Sequence, residues 1–555
     1  MAASGSCGTG MKWVLADNGT LTISGNGAVS FTTQPWTNYV DLITTIVIEE
    51  GVTTLPEKCF DKNSSITSVT LPSTLKTIKD YAFRGCTGVE KLYVPSLEYW
   101  LSVSLAGPTS SPMVPYTNDT YKCDLYIGGT LTTHITIPNG TKELLAYRFY
   151  GCKSIVSVDL PDGLTTINSN VFTSCVNLKR LIIPDSVTSM SRSIDYCTSL
   201  EELVLGNGLT AIPNYLLTGL TGLKRITVGN KLSDIAPISG YWWEATSLIE
   251  IIVPETNETY TTLNGVVYTK DMSTVVCIPC TKTHDPIAST VTTLGSALFY
   301  SRNITSYNIP NNITNIGSSC FHATKLTSIT IPETVVEIGS SAFNGCKNLL
   351  SIVLPSGIAK IYYRTFYDCT SLSSVNLPDS VTEINSEAFR NCGSLTAIEL
   401  PKNLITLGSN AFAYCKGLTR IEIPKKVGQL SSAFSYCSAL TEVVMHGTIP
   451  PTITYLSSAS TQVFGGCTSL TAIKVPVDTG EVYRTFDKWT NYASLIVESD
   501  EAGYDDPPVE PDLPVEPDLP VEPDVPTFDY TSMILGWVVG RRMRVLRSPG
   551  SQNGS

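Results

Sequence analysis

Proline returns at a fixed interval in this chain. Pro332, Pro355, Pro378, Pro401 and Pro424 stand 23 residues apart, Cys346, Cys369, Cys392 and Cys415 keep the same step, and Cys437 follows after 22. The period is already present at Pro138, Pro161 and Pro184. A unit this short cannot bury an apolar face against itself, so successive units must stack and share one core.

One unit reads CKNLLSIVLPSGIAKIYYRTFYDC, with Leu349, Ile352, Leu354, Ile358, Ile361 and Phe366 as its apolar set. The next offers Leu372, Val375, Leu377, Val381, Ile384 and Phe389. Ile352 and Leu354 lie two apart, which is the strand period, so the segment before each proline predicts a short strand with one face inward. Proline lacks a backbone donor and ends it. The S-x-A-F-x-x-C segment, as in Ser386 to Cys392, is too short for an ordinary helix and predicts a tight turn or a single helical turn on the far side. The expected fold is a β-rich α/β solenoid, with parallel strands along one side and short helical turns along the other. About sixteen coils fit between Ile43 and Pro476.

The period fails over 96–137 and 230–309, which read as irregular inserts within a solenoid of residues 43–497 whose closing segment is 477–497. Residues 1–42 precede it. There WVLADNGTLTISG places two alternating runs around Asp17-Asn18-Gly19, predicting an amino-terminal β-hairpin cap with a type I′ turn. Residues 498–527 carry PPVEPDLPVEPDLPVEPDVP, an acidic proline-rich stalk expected to be extended. Residues 528–555 form a short apolar and basic tail, which reads either as a docking or retention segment or as an untethered end.

Charge excludes one class of partner. The chain carries −12 overall, and 12 of its acidic residues fall between Glu498 and Asp529, leaving the repeats nearly neutral. A nucleic-acid footprint needs a basic stripe, and none is present. No run of 18 apolar residues exists, so no membrane span is expected. The opening MAASGSCGTGMKW lacks the pattern of a secretory leader, which leaves export by another route, or a leader already removed, as the expectations.

Sixteen cysteines suggest disulfides until they are placed in the repeat. Ten of them, from Cys86 to Cys467, follow the Phe position by three residues, and Cys59 and Cys320 replace the Ala before it. The expected result is a ladder of buried free thiols, each acting as a compact hydrophobe. Cys277-Ile278-Pro279-Cys280 has the C-x-x-C form but no second pair, so no metal or redox role is expected. His134, His284, His322 and His446 fall in unrelated coils, and no catalytic, metal or cofactor site is expected from their spacing.

Together these residues resemble the BspA-like leucine-rich repeat proteins, whose unit runs close to L-x-x-I-x-[IL]-P-x-x-[VI]-x-x-I-x-x-x-A-F-x-x-C. CGTGMKWVLADNGTLTISGNGAV is similar to the family's opening piece, LYIGGTLTTHITIP and NGVVYTKDMSTVV to its inserts, and VPVDTGEVYRTFDKWTNYASLIV to its closing segment. Gly206, Gly229 and His446 depart from the pattern by standing where most coils have proline. The resemblance implies a leucine-rich repeat solenoid and a surface-exposed adhesin, in some members one that engages host matrix proteins such as fibronectin or fibrinogen. It implies no catalytic residue.

Residues two and four before each proline are expected to point outward, giving a candidate ligand-binding face of Ser351, Val353, Ser374, Asn376, Ala397, Glu399, Arg420 and Glu422. Glu399, Arg420 and Glu422 read as its one charged cluster. The expected function is non-enzymatic recognition of protein or glycan ligands by a monomer at the cell surface or outside the cell. The alternative is a structural or attachment protein without export, on a phage particle or in the cytoplasm.

Overall fold

A computed structural model describes residues 3–114, 123–235, 241–283, 286–454 and 462–503. Of the expected stalk over 498–527, residues 498–503 are described and end the solenoid as strand Ile496–Glu498 and turn Asp500–Ala502, whereas the rest of the stalk and the tail lie outside the described residues. The expected solenoid is what the chain forms. Strands Thr45–Ile48, Ser68–Thr70, Lys91–Val94 and Asp124–Ile127 pair in parallel at matching repeat positions, so that Ile46, Val69, Leu92 and Leu125 fall into one buried row. Later coils repeat this: Ser351–Val353 pairs with Ser374–Asn376, and Arg420–Ile423 with Glu442–Met445.

The far side takes the tight-turn form. Ser341, Phe343 and Gly345 donate their N–H groups to Tyr363, Thr365 and Tyr367 of the next coil, while Ala342 and Asn344 bond within their own coil. Left-handed residues make this alternation possible: Ser341 lies at φ 57° and Gly345 at φ 72°. Backbone donors of a buried turn are thereby satisfied without a helix.

Aromatic rings and thiols fill the space behind this turn. Phe299, Phe321, Phe343, Phe366, Phe389, Phe412 and Phe434 stack in sequence with centroids 5.1–5.7 Å apart and planes within 15°. The cysteines run alongside. Cys346, Cys369, Cys392 and Cys415 each donate the thiol at 3.1–3.2 Å to the carbonyl of the phenylalanine one coil back. All 16 thiols are free; only Cys280 and Cys467 are not fully buried. Burial pushes Cys152 and Cys346 up to about 11 and Cys197 and Cys415 to about 12, so these thiols stay protonated and available as donors near neutrality.

Both ends of the stack are covered by aromatic groups. At the start, Ala3–Gly8, Met11–Leu15 and Thr20–Gly25 form an antiparallel sheet whose last strand joins Thr45–Ile48 in parallel. The hairpin at Asp17-Asn18-Gly19 is present, but its turn is not type I′. That turn needs two residues at positive φ, and only Gly19 has it, at 82°, while its N–H closes onto Ala16 O at 3.0 Å. Trp36 stacks on Phe60 and begins the aromatic row. At the other end helix Gly480–Thr485 brings Tyr483 to Gly447 O at 2.6 Å, Trp489 reaches Pro451 O at 2.8 Å, and Tyr492 packs edge-on against Phe464.

The irregular stretches carry the array forward. In the first, Trp100 of helix Leu97–Ser102 donates to Arg148 O at 2.8 Å, and Arg148 donates to Trp100 O at 3.2 Å. In the second, Tyr260–Leu263, Val266–Thr269 and Thr274–Cys277 form a meander that rejoins the solenoid through Thr293–Leu294. Consecutive strand residues face opposite ways. Val267 accordingly belongs to the hydrophobic cluster of the preceding coils, and Val266 to that of the following coils.

Glycine replaces proline where coils crowd: a Cβ on Gly206 would lie 2.4 Å from the Pro184 carbonyl. His446 uses the donor that proline would lack, giving its N–H to Ile423 O at 3.0 Å.

Two outcomes follow from this packing. Thiol titration of the native protein at pH 8 should find few of the 16 cysteines reactive, and denaturation without reductant should release all of them; a shortfall in denaturant would reveal disulfides. Phe389→Ala should cost about 3–5 kcal/mol and uncouple the coils on either side, splitting one chemical unfolding transition into two.

Candidate functional site: the outward strand face

Alternation along each strand leaves a row of side chains outside. Ser351 and Val353 flank buried Ile352, with Val353 63% exposed, and Ser374 and Asn376 lie beside them in register and are exposed. Ala397 and Glu399 are exposed on either side of Ile398, although no strand forms over 396–400. These positions face outward as their spacing predicts.

Arg420 and Glu422 occupy the same rows but are half-buried, because the segment Asp500–Ala502 folds over them. Arg420 bonds Glu442 at 2.8 Å and also pairs with Glu422 and Glu501. Lys474 bridges Glu442 at 2.8 Å and Glu501 at 2.6 Å. His446 Nε2 meets Glu422 at 3.0 Å and its Nδ1 meets Ala502 O at 2.9 Å. A short turn at Asp500–Ala502 is thus strapped across strands Arg420–Ile423, Glu442–Met445 and Ala472–Val475, with Ala502 fully buried. Glu399 is not part of this network; it makes no ion pair among the described residues. Glu442, His446, Lys474 and Glu501 take its place.

Nor is this the one charged cluster. Strands Arg180–Ile182, Glu202–Val204, Arg225–Thr227 and Glu250–Ile252 pair in parallel and alternate charge along one row: Arg180 to Glu202 at 2.6 Å, then Arg225 to Glu250 at 2.9 Å. Beside it run Lys179, Glu201, Lys224 and Ile249, with Lys224 on Glu201 at 2.9 Å. The two rows line a groove of about 420 Å³. Ile249 and Ile182 are exposed at 50% and 43%. Continuing the outward positions through these earlier coils of the sequence would have found the ladder.

The structure also gathers a serine, a histidine and an acid that spacing did not connect. Ser157 Oγ lies 2.7 Å from His134 Nδ1, and His134 Nε2 lies 3.1 Å from Asp159 and from Thr136 Oγ1. They come from two adjacent strands, His134–Thr136 and Ser157–Asp159, in direct register. Acyl transfer also requires donors preorganised around a developing oxyanion and exclusion of water. Here the imidazole is 49% and the carboxylate 68% exposed on an open strand face, so the arrangement serves as a surface hydrogen-bond cluster.

The strap should loosen in acid. The ion-paired hydrogen bond from Lys474 holds Glu442 below its ordinary 4.5; partial burial opposes the same shift at Glu422, but bonds from His446 and Arg420 outweigh it. Lowered carboxylate values contribute stability that is full above the unfolded value and lost as pH falls through the folded one. Unfolding midpoints should therefore drop as pH falls below about 4.5. Glu442→Gln should flatten that dependence while lowering the midpoint at pH 7.

Comparison with known proteins agrees with this architecture. The family model of the BspA type leucine rich repeat region matches residues 37–102, 126–249, 280–373 and 359–492, well over half of the chain. A leucine-rich repeat protein from Eubacterium ventriosum is 24% identical, with 74% of this chain and 94% of that one covered and a TM-score of 0.33. A leucine rich cell surface protein from Faecalibacterium prausnitzii is 22% identical over 83% and 96%, with a TM-score of 0.36. The pneumococcal vaccine antigen PcpA is 16% identical over 90% and 98%, with a TM-score of 0.29. No curated protein matches the chain. The matched residues are those whose leucines, prolines, phenylalanines and cysteines build the coils, and the chain belongs to the BspA-type leucine-rich repeat family.

Proposed function

We propose that this protein is a non-enzymatic adhesin, displayed at the cell surface or outside the cell, which grips an extended protein ligand along its outward strand face. The observation that carries the reading is the groove between Lys179 and Glu250. There in-register charges of both signs stand beside exposed Ile249, and exposed Ile182 follows Arg180 on the same strand. Such a surface selects by placement: a ligand must match alternating charges at the coil spacing and cover the two isoleucines. Fixed donors and acceptors on a rigid ladder also keep the ordering cost of binding low on this side.

Ser351, Val353, Ser374, Asn376, Ala397 and Glu399 extend the face with small, exposed groups that admit close approach of a second backbone. Arg420 and Glu422 mark its far limit, since the carboxy-terminal strap covers them. No helix of the described residues is long and apolar enough to cross a membrane.

The test is binding of the full-length protein to immobilised matrix proteins, fibronectin and fibrinogen first. Replacing Arg180 and Arg225 together by Glu sets like charges beside Glu202 and Glu250. It should weaken binding about tenfold or more at low salt. Ser351→Arg with Ser374→Arg should crowd the extended face and weaken it less. Unchanged affinity in both variants would refute the strand face as the binding surface.

A further inference from the structure

Ten arginines lie in the described residues, and eight of them carry a carboxylate partner: Arg84, Arg180, Arg192, Arg225, Arg364, Arg390, Arg420 and Arg484. Arg148 and Arg302 do not. Both are buried, with relative exposures of 1% and 8%. Their surroundings differ. Arg148 is locked against Trp100, and its Nε is sealed from solvent. Arg302 lines an open cavity of about 360 Å³ within the second irregular stretch, between the segments at 243–246, 280–283 and 301–304.

Among the described residues Arg302 is held by neutral acceptors alone. Nη2 donates to Ile278 O at 2.5 Å and Nη1 to Thr283 Oγ1 at 3.3 Å, which uses two of the five guanidinium N–H groups. The carbonyl of Ile278 sits within the C-x-x-C segment, so that segment's role here is to fix an arginine, and Cys280 turns its thiol to Trp242 O. A guanidinium withdrawn from water without a counter-charge is costly, and an anion that reaches it recovers that cost. Planar, forked donors favour a carboxylate.

The rest of the cavity describes what carries the anion. Trp243 forms an apolar wall and is fixed between Tyr241 and Tyr300, at centroid distances of 4.6 and 4.7 Å. Around the rim, the hydroxyls of Thr246 and Ser301 and the carboxamide of Asn303 make no hydrogen bond to the described residues. The volume suits one small ligand. We infer that this cavity binds a carboxylate-bearing sugar residue, its acid on Arg302, its hydroxyls on Thr246, Ser301 and Asn303, and its C–H face toward Trp243. This glycan subsite is separate from the strand face.

Isothermal titration of the full-length protein with methyl glucuronide, N-acetylneuraminate, methyl glucoside and acetate tests it. At least one acidic sugar should bind, the neutral sugar should bind at least tenfold more weakly, and acetate should compete only at far higher concentration. Asn303→Asp, on the exposed rim, places a carboxylate in the cavity and should reduce acidic-sugar binding at least tenfold without altering the unfolding midpoint. Arg302→Met should abolish that binding while preserving affinity for any strand-face ligand. Binding of neither acid at millimolar concentration, equal binding of methyl glucoside, equal competition by acetate, or unchanged affinity in Asn303→Asp would overturn the proposal.

Discussion

The contacts that join this array are made between equivalent positions one coil apart. Phe389 donates its N–H to Ala411 and lays its ring on Phe412, and its carbonyl accepts the thiol of Cys415. One residue thus closes a backbone ladder, an aromatic stack and a thiol ladder at once. Because each contact is repeated by translation, the three ladders stay aligned through the 22-residue step from Phe412 to Phe434 as through the 23-residue steps before it, with Cys437 still donating to Phe412 O at 3.2 Å. The largest departure is the meander over 260–277, which passes the core from one cluster to the next through Val266 and Val267, while the 30-residue step from Phe434 to Phe464 keeps both the ring stack and the thiol bond.

This translational order explains what could be read before any coordinates. Leu349, Ile352, Phe366 and Cys369 recur at fixed steps, so their shared burial follows from the period alone, and so do the outward positions of Ser351 and Val353. The turn at Gly19 was less legible, since Asn-Gly fits more than one hairpin geometry and only the closing bond from Gly19 to Ala16 decides between them. Pairing among surface charges was less legible still. Arg420 meets Glu442 across 22 residues, which the period could supply, but Glu501 across 81, which it could not.

The same distinction separates the two candidate sites. The groove between Lys179 and Glu250 is periodic, built from equivalent positions in successive coils, and needed only a longer reading of the ladder. The cavity at Arg302 is aperiodic. Its walls come from Trp243, the C-x-x-C segment and residues 301–304, and no spacing rule links them. An arginine buried without an acid among the described residues becomes visible only from the side chains that surround it.

Regular coils and irregular inserts therefore bring different chemistry to the same molecule. A translated ladder repeats whatever its coils carry, which favours extended ligands with many modest contacts and penalises a deep pocket, since a pocket would interrupt the Phe and Cys rows that hold neighbouring coils together. The meander escapes that constraint because its strands Tyr260–Leu263 and Val266–Thr269 run antiparallel outside the repeat. It can seat Arg302 on a bare carbonyl and leave a cavity open beside Trp243 without breaking the phenylalanine stack that begins at Phe299. In a solenoid whose core demands sameness, the breaks in period are where concave, chemically distinct sites can form at little cost to the array.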